Sequence, residues 1–392
     1  MENVLPHYKR PIHFINDPIN SVVHWDLATD AFDEKNYKEA VINTINYLNP
    51  SILKDKDLKG DINITQMHGS TEVNITITDD SFLVKAPFLK MTNATNKIAL
   101  QRKVAEVNFH PLTLVQIRQE DNAFMFEYKT DISLCNPYKI YDVLRDVCVY
   151  GDDYDDIFID KYKAAFYKEP QIEHVSIEDN ELIWNQITAV FNDYKNYVKY
   201  FKEKRWDDYN WDMIVISLLK ISNMPYVHGK LRSDLIEYVS ILFNGSEDFN
   251  IRVNKGFNFM NSLIEKPREE IMKNVYHAAQ FQSIRWRSSE KIIAQRLENN
   301  REQVENYLNN ESYFALSYYL QFTFLRLIYD YNLDQNYKNA IYNALEVASG
   351  KEPRSGYKIL ADTYFDLLNA TIKTTSTKKT KSKKGFFASL FS

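Results

Sequence analysis

The sequence predicts an α+β domain followed by an all-helical one. Between residues 62 and 129, short apolar/polar alternations recur with turn residues between them, which is the signature of half-buried strands. After residue 176 that alternation stops and apolar residues return at helical spacing. Only 9 Gly and 11 Pro occur in 392 residues, which suits long helices better than a loop-rich sandwich. The length itself favours two domains over one.

The elements follow in order. Residues 26–48 read as one amphipathic helix, with Leu27, Ala31, Val41, Ile45 and Leu48 on a common side and Pro50 ending it. Residues 32–40 also look like the turn of a tetratricopeptide helix pair, although one copy has no stacked neighbour. Residues 62–68, 71–78 and 81–86 read as an antiparallel meander, turning at Gly69-Ser70 and Asp79-Asp80. Residues 96–109 are predicted helical. A hairpin of 112–119 and 123–129 follows, with Phe124, Phe126 and Tyr128 alternating on its second arm. Pro137 opens a helix to Val149, and residues 154–167 form another. The order is α-βββ-α-ββ-α.

Ser176 is a candidate cap, with Asp179 at the third helical position of the helix it opens. Helices are predicted to about residue 204 and over 211–222, 231–243, 268–280, 288–307, 312–331, 337–349 and 357–370. The domain plan is an N-terminal extension (1–25), the α+β domain (26–170), an all-α bundle (176–370) and a basic tail (371–392).

The strand Val73-Asn74-Ile75-Thr76-Ile77, the helix ending Val104-Ala105-Glu106-Val107-Asn108, the hairpin after it and the helix from Tyr138 to Val149 together carry a resemblance. In element order, residues 26 to about 168 resemble the type III secretion chaperone-like fold, and in particular the YbjN-like family of bacterial sensory transduction regulators. The resemblance implies binding of a protein partner with no enzyme site. The helical second half and the tail lie outside it.

No residue pattern points to catalysis, a metal or a cofactor, so a non-enzymatic protein is expected. The eight histidines are scattered and lack ligand spacing. His228, in a Pro- and Gly-bounded loop, reads as a packing residue. Asp152, Asp153, Asp155, Asp156 and Asp160 fail the calcium-loop pattern, because Phe158 and Ala164 stand where Gly and Glu are needed. They read instead as a solvated helix N-terminus, with pairing to the lysine tail as a second option. Arg285-Trp286-Arg287 suits an anion or a stacked base, but a helix start packed by Trp is the commoner use. Cys135 and Cys148 form no CxxC motif and point to a reduced compartment.

Net charge is −5; removing the six lysines after Asn369 leaves −11 on the body, which argues against nucleic acid as a partner. No secretory leader and no apolar run of membrane-spanning length is evident. A cytoplasmic protein is expected, with peripheral contact to the inner face of a membrane as the alternative.

The strongest binding signal is the tail. Lys378, Lys379, Lys381, Lys383 and Lys384 precede an aromatic hook in which Phe386, Phe387, Leu390 and Phe391 share one face if helical. The expected function is a protein-binding adaptor or chaperone-like protein docking through this tail. The alternative is peripheral anchoring to an anionic membrane by the same residues, and behind it an enzyme whose site assembles from distant residues.

Overall fold

The computed structural model describes residues 4–12, 22–170 and 172–370. The first domain begins with an antiparallel helix pair, α1 (Val22–Asp33) and α2 (Tyr37–Leu48). The single helix expected over 26–48 is therefore two. The chain breaks where Lys35 takes a left-handed conformation (φ 65°), a turn that no glycine advertises.

The strands β1 (Ile62–His68), β2 (Thr71–Ile77) and β3 (Ser81–Lys90) form the expected meander. Helix α3 (Lys97–Phe109) then leads to the hairpin β4 (Gln116–Glu120) and β5 (Ala123–Asp131). Sheet order is β1-β2-β3-β5-β4, all antiparallel, and the short β6 (Ala165–Phe166) also pairs with β3. The β3–β5 register shifts between Pro87 and Leu89, where a ladder cannot use the missing proline N–H. Alternation places Ile62, Ile64, Val73, Ile75, Phe82, Val84, Phe124 and Phe126 on the buried face. Asn63, Thr65, Thr76 and Lys129 stand on the other.

Helix α4 (Pro137–Tyr162) covers the buried face as one continuous element, where two helices were expected. Asn136 caps it by accepting from the Tyr138 N–H, and Pro137 occupies its first turn. Gly151, in the gap expected between those two helices, lies inside it. A Cβ there would stand 2.3 Å from Thr71 Oγ1, so glycine is what lets the sheet approach the helix.

The second domain is largely helical. Strand β7 (Ile172–His174) leads to α5 (Ile177–Lys204), capped by Ser176 accepting from the Asp179 N–H at 3.0 Å, as the capping pattern predicts. Then come α6 (Tyr209–Ser222), α7 (Gly229–Phe243), α8 (Phe249–Glu265) and the short α9 (Arg268–Met272). Strands β8 (Tyr276–Ala278) and β9 (Trp286–Arg287) precede α10 (Glu290–Glu298), α11 (Arg301–Asn309) and α12 (Tyr313–Asp330). Strand β10 (Tyr331–Asn332), α13 (Gln335–Ala348) and α14 (Pro353–Leu368) complete it.

Four details differ from the expected bundle. Helix α8 was not foreseen. The helix expected over 268–280 ends at Met272 and gives way to β8, which pairs with β7. The helix expected over 288–307 divides at Asn299-Asn300 into α10 and α11. Trp286 lies in β9, paired in parallel with β10, and does not start a helix.

Two apolar cores form. One gathers the sheet, α2 and α4; the other gathers the helices from α5 onward. Residues 4–12 belong with the second. Leu5 is fully buried there, its N–H donates to the Lys351 carbonyl at 2.7 Å, and the Gly350 N–H donates back at 3.2 Å. Asp193 accepts from the His7 N–H at 2.6 Å, while buried Lys220 donates to the His7 carbonyl at 2.6 Å. Burial lowers the Lys220 ammonium to about 8, against the pull of Asp193. The α+β domain is thus flanked in sequence by two pieces of the helical one.

Candidate functional site

Lys378, Lys379, Lys381, Lys383, Lys384, Phe386, Phe387, Leu390 and Phe391 lie outside the described residues. The described residues present two other features, an outward apolar line on α3 and a polar junction between the domains.

Helix α3 is capped by Asn96, whose side chain accepts from the Ala99 N–H. It buries Leu100, Val104 and Val107, spaced four and three apart, against the α+β core. On its outer side Ile98, Arg102, Ala105 and Phe109 recur at the same helical spacing, all exposed. Ile98 is 66% exposed and Phe109 is 91% exposed; Leu114, just beyond the helix, is 40% exposed. The outer side thus exposes a large apolar residue at each end, with Arg102 and Ala105 between them. This was legible as an eleven-residue spacing between Ile98 and Phe109 and was missed. Asn108 fixes the end of the helix to the sheet: its side chain donates to the Ile117 carbonyl at 2.9 Å and accepts from the Ile117 N–H at 2.7 Å. That satisfies the outer edge of β4 at this residue.

The junction is built on α4. The β1–β2 turn fits against it: Gly69 adopts φ +54°, a Cβ there would lie 2.1 Å from Asp152 Oδ1, and the Ser70 hydroxyl donates to Asp155. The Gly69 N–H reaches across to the Ala279 carbonyl at 2.9 Å. Asp152 pairs with Arg232 of α7 at 3.0 Å, both side chains largely buried. The acidic stretch is thus not a solvated helix start. It lies in the second half of α4, and Asp152 and Asp155 spend their charge on the sheet turn and the helical domain.

Residues 281–287 form a clamp on the same helix. Phe281 enters the α+β core, and Gln282 donates to the Tyr141 carbonyl at 3.1 Å. Tyr141 Oη donates to the Arg285 carbonyl, and Arg145 Nε to that of Ile284, each at 3.0 Å. The Arg145 guanidinium lies 3.7 Å over Trp286, and that of Arg287 lies 4.0 Å over Tyr138. The Arg-Trp-Arg triplet is therefore an interdomain clasp.

His68 and His228 lie buried beside this junction, at 2% and 3% exposure. Burial lowers both imidazoles to about 4; at His228 the neighbouring Arg232 charge adds to the effect, while Asp152 opposes it at both. The His228 ring stacks on Tyr276 with centroids 4.9 Å apart, and the His228 backbone N–H donates to the Asn274 carbonyl at 2.9 Å. Sequence reading singled out His228 but missed His68 and Arg232; the Gly69-Ser70 turn beside His68 was the available signal. Cys135 and Cys148 are both buried and unpaired with each other. Burial pushes the Cys135 thiol up to about 12 and Cys148 upward too, which suppresses the thiolate that redox or nucleophilic work needs.

Among the described residues no group of His, Cys, Asp and Glu is arranged to hold a metal ion, and no helix is long and apolar enough to cross a membrane. No family model, curated protein or solved structure matches the chain.

Proposed function

We propose that this protein is a non-enzymatic adaptor that binds a protein partner through the outward line of α3, with the basic, aromatic tail as a second contact. The carrying observation is the pair of exposed apolar side chains on the outer side of α3, Phe109 91% exposed at one end and Ile98 66% exposed at the other. Covering those two side chains would contribute roughly 1.5–3 kcal/mol each. A micromolar complex needs about 8 kcal/mol, before the cost of association is met. The α3 line alone falls short, so a second contact is required. The hook Phe386, Phe387, Leu390 and Phe391, led by its lysines, is suited to supply it. The element order that resembles the chaperone-like fold supports the same reading.

The test is a photo-crosslinking amino acid placed at position 98 or 109 of the full chain in cells, with position 129 on the open sheet face as control. The expected result is a discrete adduct at 98 and 109, absent at 129 and weakened by removal of residues 378–392. Identical products at all three positions would defeat the reading. The tail composition also favours a second reading, peripheral attachment to an anionic membrane. In that case Phe386→Ala/Phe387→Ala abolishes salt-sensitive co-sedimentation with anionic vesicles.

A further inference from the structure

We infer that the domain junction contains an anion site that takes a phosphate-sized oxyanion. A cavity of about 100 Å³ opens between the α6–α7 loop, residues 280–285 and α13. That volume equals about three water molecules, or one tetrahedral oxyanion. The cationic Arg232, Arg285 and Lys338 stand in its wall beside the neutral imidazole of His228, and the wall contains no carboxylate. Such a lining repels a cation and rewards an anion.

The hydrogen-bond inventory points the same way. Arg232 spends one guanidinium nitrogen on Asp152, while its Nε and Nη2 are buried without a partner. His228 Nε2 and Ser222 Oγ, in the same wall, are also buried and unpartnered, as is one acceptor, Asn223 Oδ1, which a protonated phosphate oxygen would satisfy. A buried donor left unmade costs about 1–3 kcal/mol, so several together mark a place where a further acceptor belongs. A phosphate group offers acceptors in several directions at once, and a guanidinium fork engages two of them. The wall residues come from three separate parts of the fold, which suits a tetrahedral group better than a planar carboxylate. Residues 282–285 also carry the clamp bonds to α4, so an anion held here ties both domains to one centre.

The experiment is thermal unfolding of the full chain titrated with sodium phosphate, against sodium chloride at matched ionic strength. The expected result is a saturable rise in Tm with phosphate and none with chloride. Lys338→Gln should raise the half-saturating concentration about tenfold, and Arg232→Gln should raise it at least as much. Circular dichroism confirms that each variant is folded; if Arg232→Gln is not, Lys338→Gln alone decides. A small phosphate monoester and vesicles bearing a phosphomonoester lipid, run as parallel arms, separate a soluble ligand from a headgroup. Equal shifts with phosphate and chloride, or a phosphate shift unchanged in the folded variants, would overturn the site.

Discussion

Within the α+β domain Phe88 lies 4.6 Å from Phe126 and 6.2 Å from Phe158; within the helical domain Phe314 lies 4.7 Å and Phe201 5.8 Å from Tyr318. Between the domains the buried groups are His68, Ser70, Asp155, His228 and Gln282, with the Asp152–Arg232 pair beside them. The two interiors are held chiefly by apolar area, although buried bonds such as Lys220 to the His7 carbonyl also cross the helical one. The junction is held by directed bonds, which tolerate small displacements less well. The contrast teaches that the cores stabilise each domain while the junction fixes how the two are registered, and that the junction gathers several unspent polar atoms around one cavity.

The contrast can be broken most strongly from the dry side. Phe126→Ala should lower unfolding stability by about 4 kcal/mol in a denaturant titration, since it opens a cavity beside Phe88. Asp152→Ala should cost about 3 kcal/mol, because it strands the Arg232 guanidinium. The double change Asp152→Leu/Arg232→Met should cost much less, and an equal cost would show that the loss comes from packing and not charge. Gly69→Ala should cost about 2 kcal/mol, through strain at positive φ and collision with Asp152, and should increase proteolysis at the junction. Tyr141→Phe, which removes one clamp bond, should cost about 1 kcal/mol.

A separate test is the pH dependence of His68. The unfolded imidazole titrates near 6.5 and the folded one near 4. Between those values the unfolded chain binds the extra proton, so this histidine's contribution is intact above about 6.5 and is lost as pH falls towards 4. Asp212 acts oppositely over much of that window, because burial raises its carboxyl from 3.8 to about 7. The readout is therefore the stability gap between wild type and His68→Gln. It should move against the wild type on acidification; a constant gap would show that His68 is not held neutral.

The sheet was legible almost residue by residue, because alternation in 62–68 and 71–77 survives any neighbour that covers one face. The helix breaks were not. Gly151 reads as punctuation but marks the approach of Thr71, and Gly256 sits inside α8 because a Cβ there would meet Ile214 at 2.9 Å and Leu242 at 3.0 Å. Conversely, α1 and α2 part at Lys35, where no glycine or proline marks the turn and only the helix-pair likeness of residues 32–40 pointed to it. Glycine reports on what comes near the backbone as well as on where the chain turns, and a single sequence does not say which. The junction was illegible for a related reason. His68, Asp152, the His228/Arg232 pair and Gln282 come from four distant parts of the chain, and no periodicity brings those parts together.

The docking of residues 4–12 bears on the order of synthesis. The Tyr8 N–H donates to Ser349 Oγ, 341 positions onward, and Leu5 is seated against Lys351 and Gly356. On the ribosome this short strip emerges before the whole α+β domain and has no seat until α13 and α14 have followed. The inserted domain can close early, whereas the enclosing one is completed only when its opening residues are threaded back onto helices made hundreds of residues later.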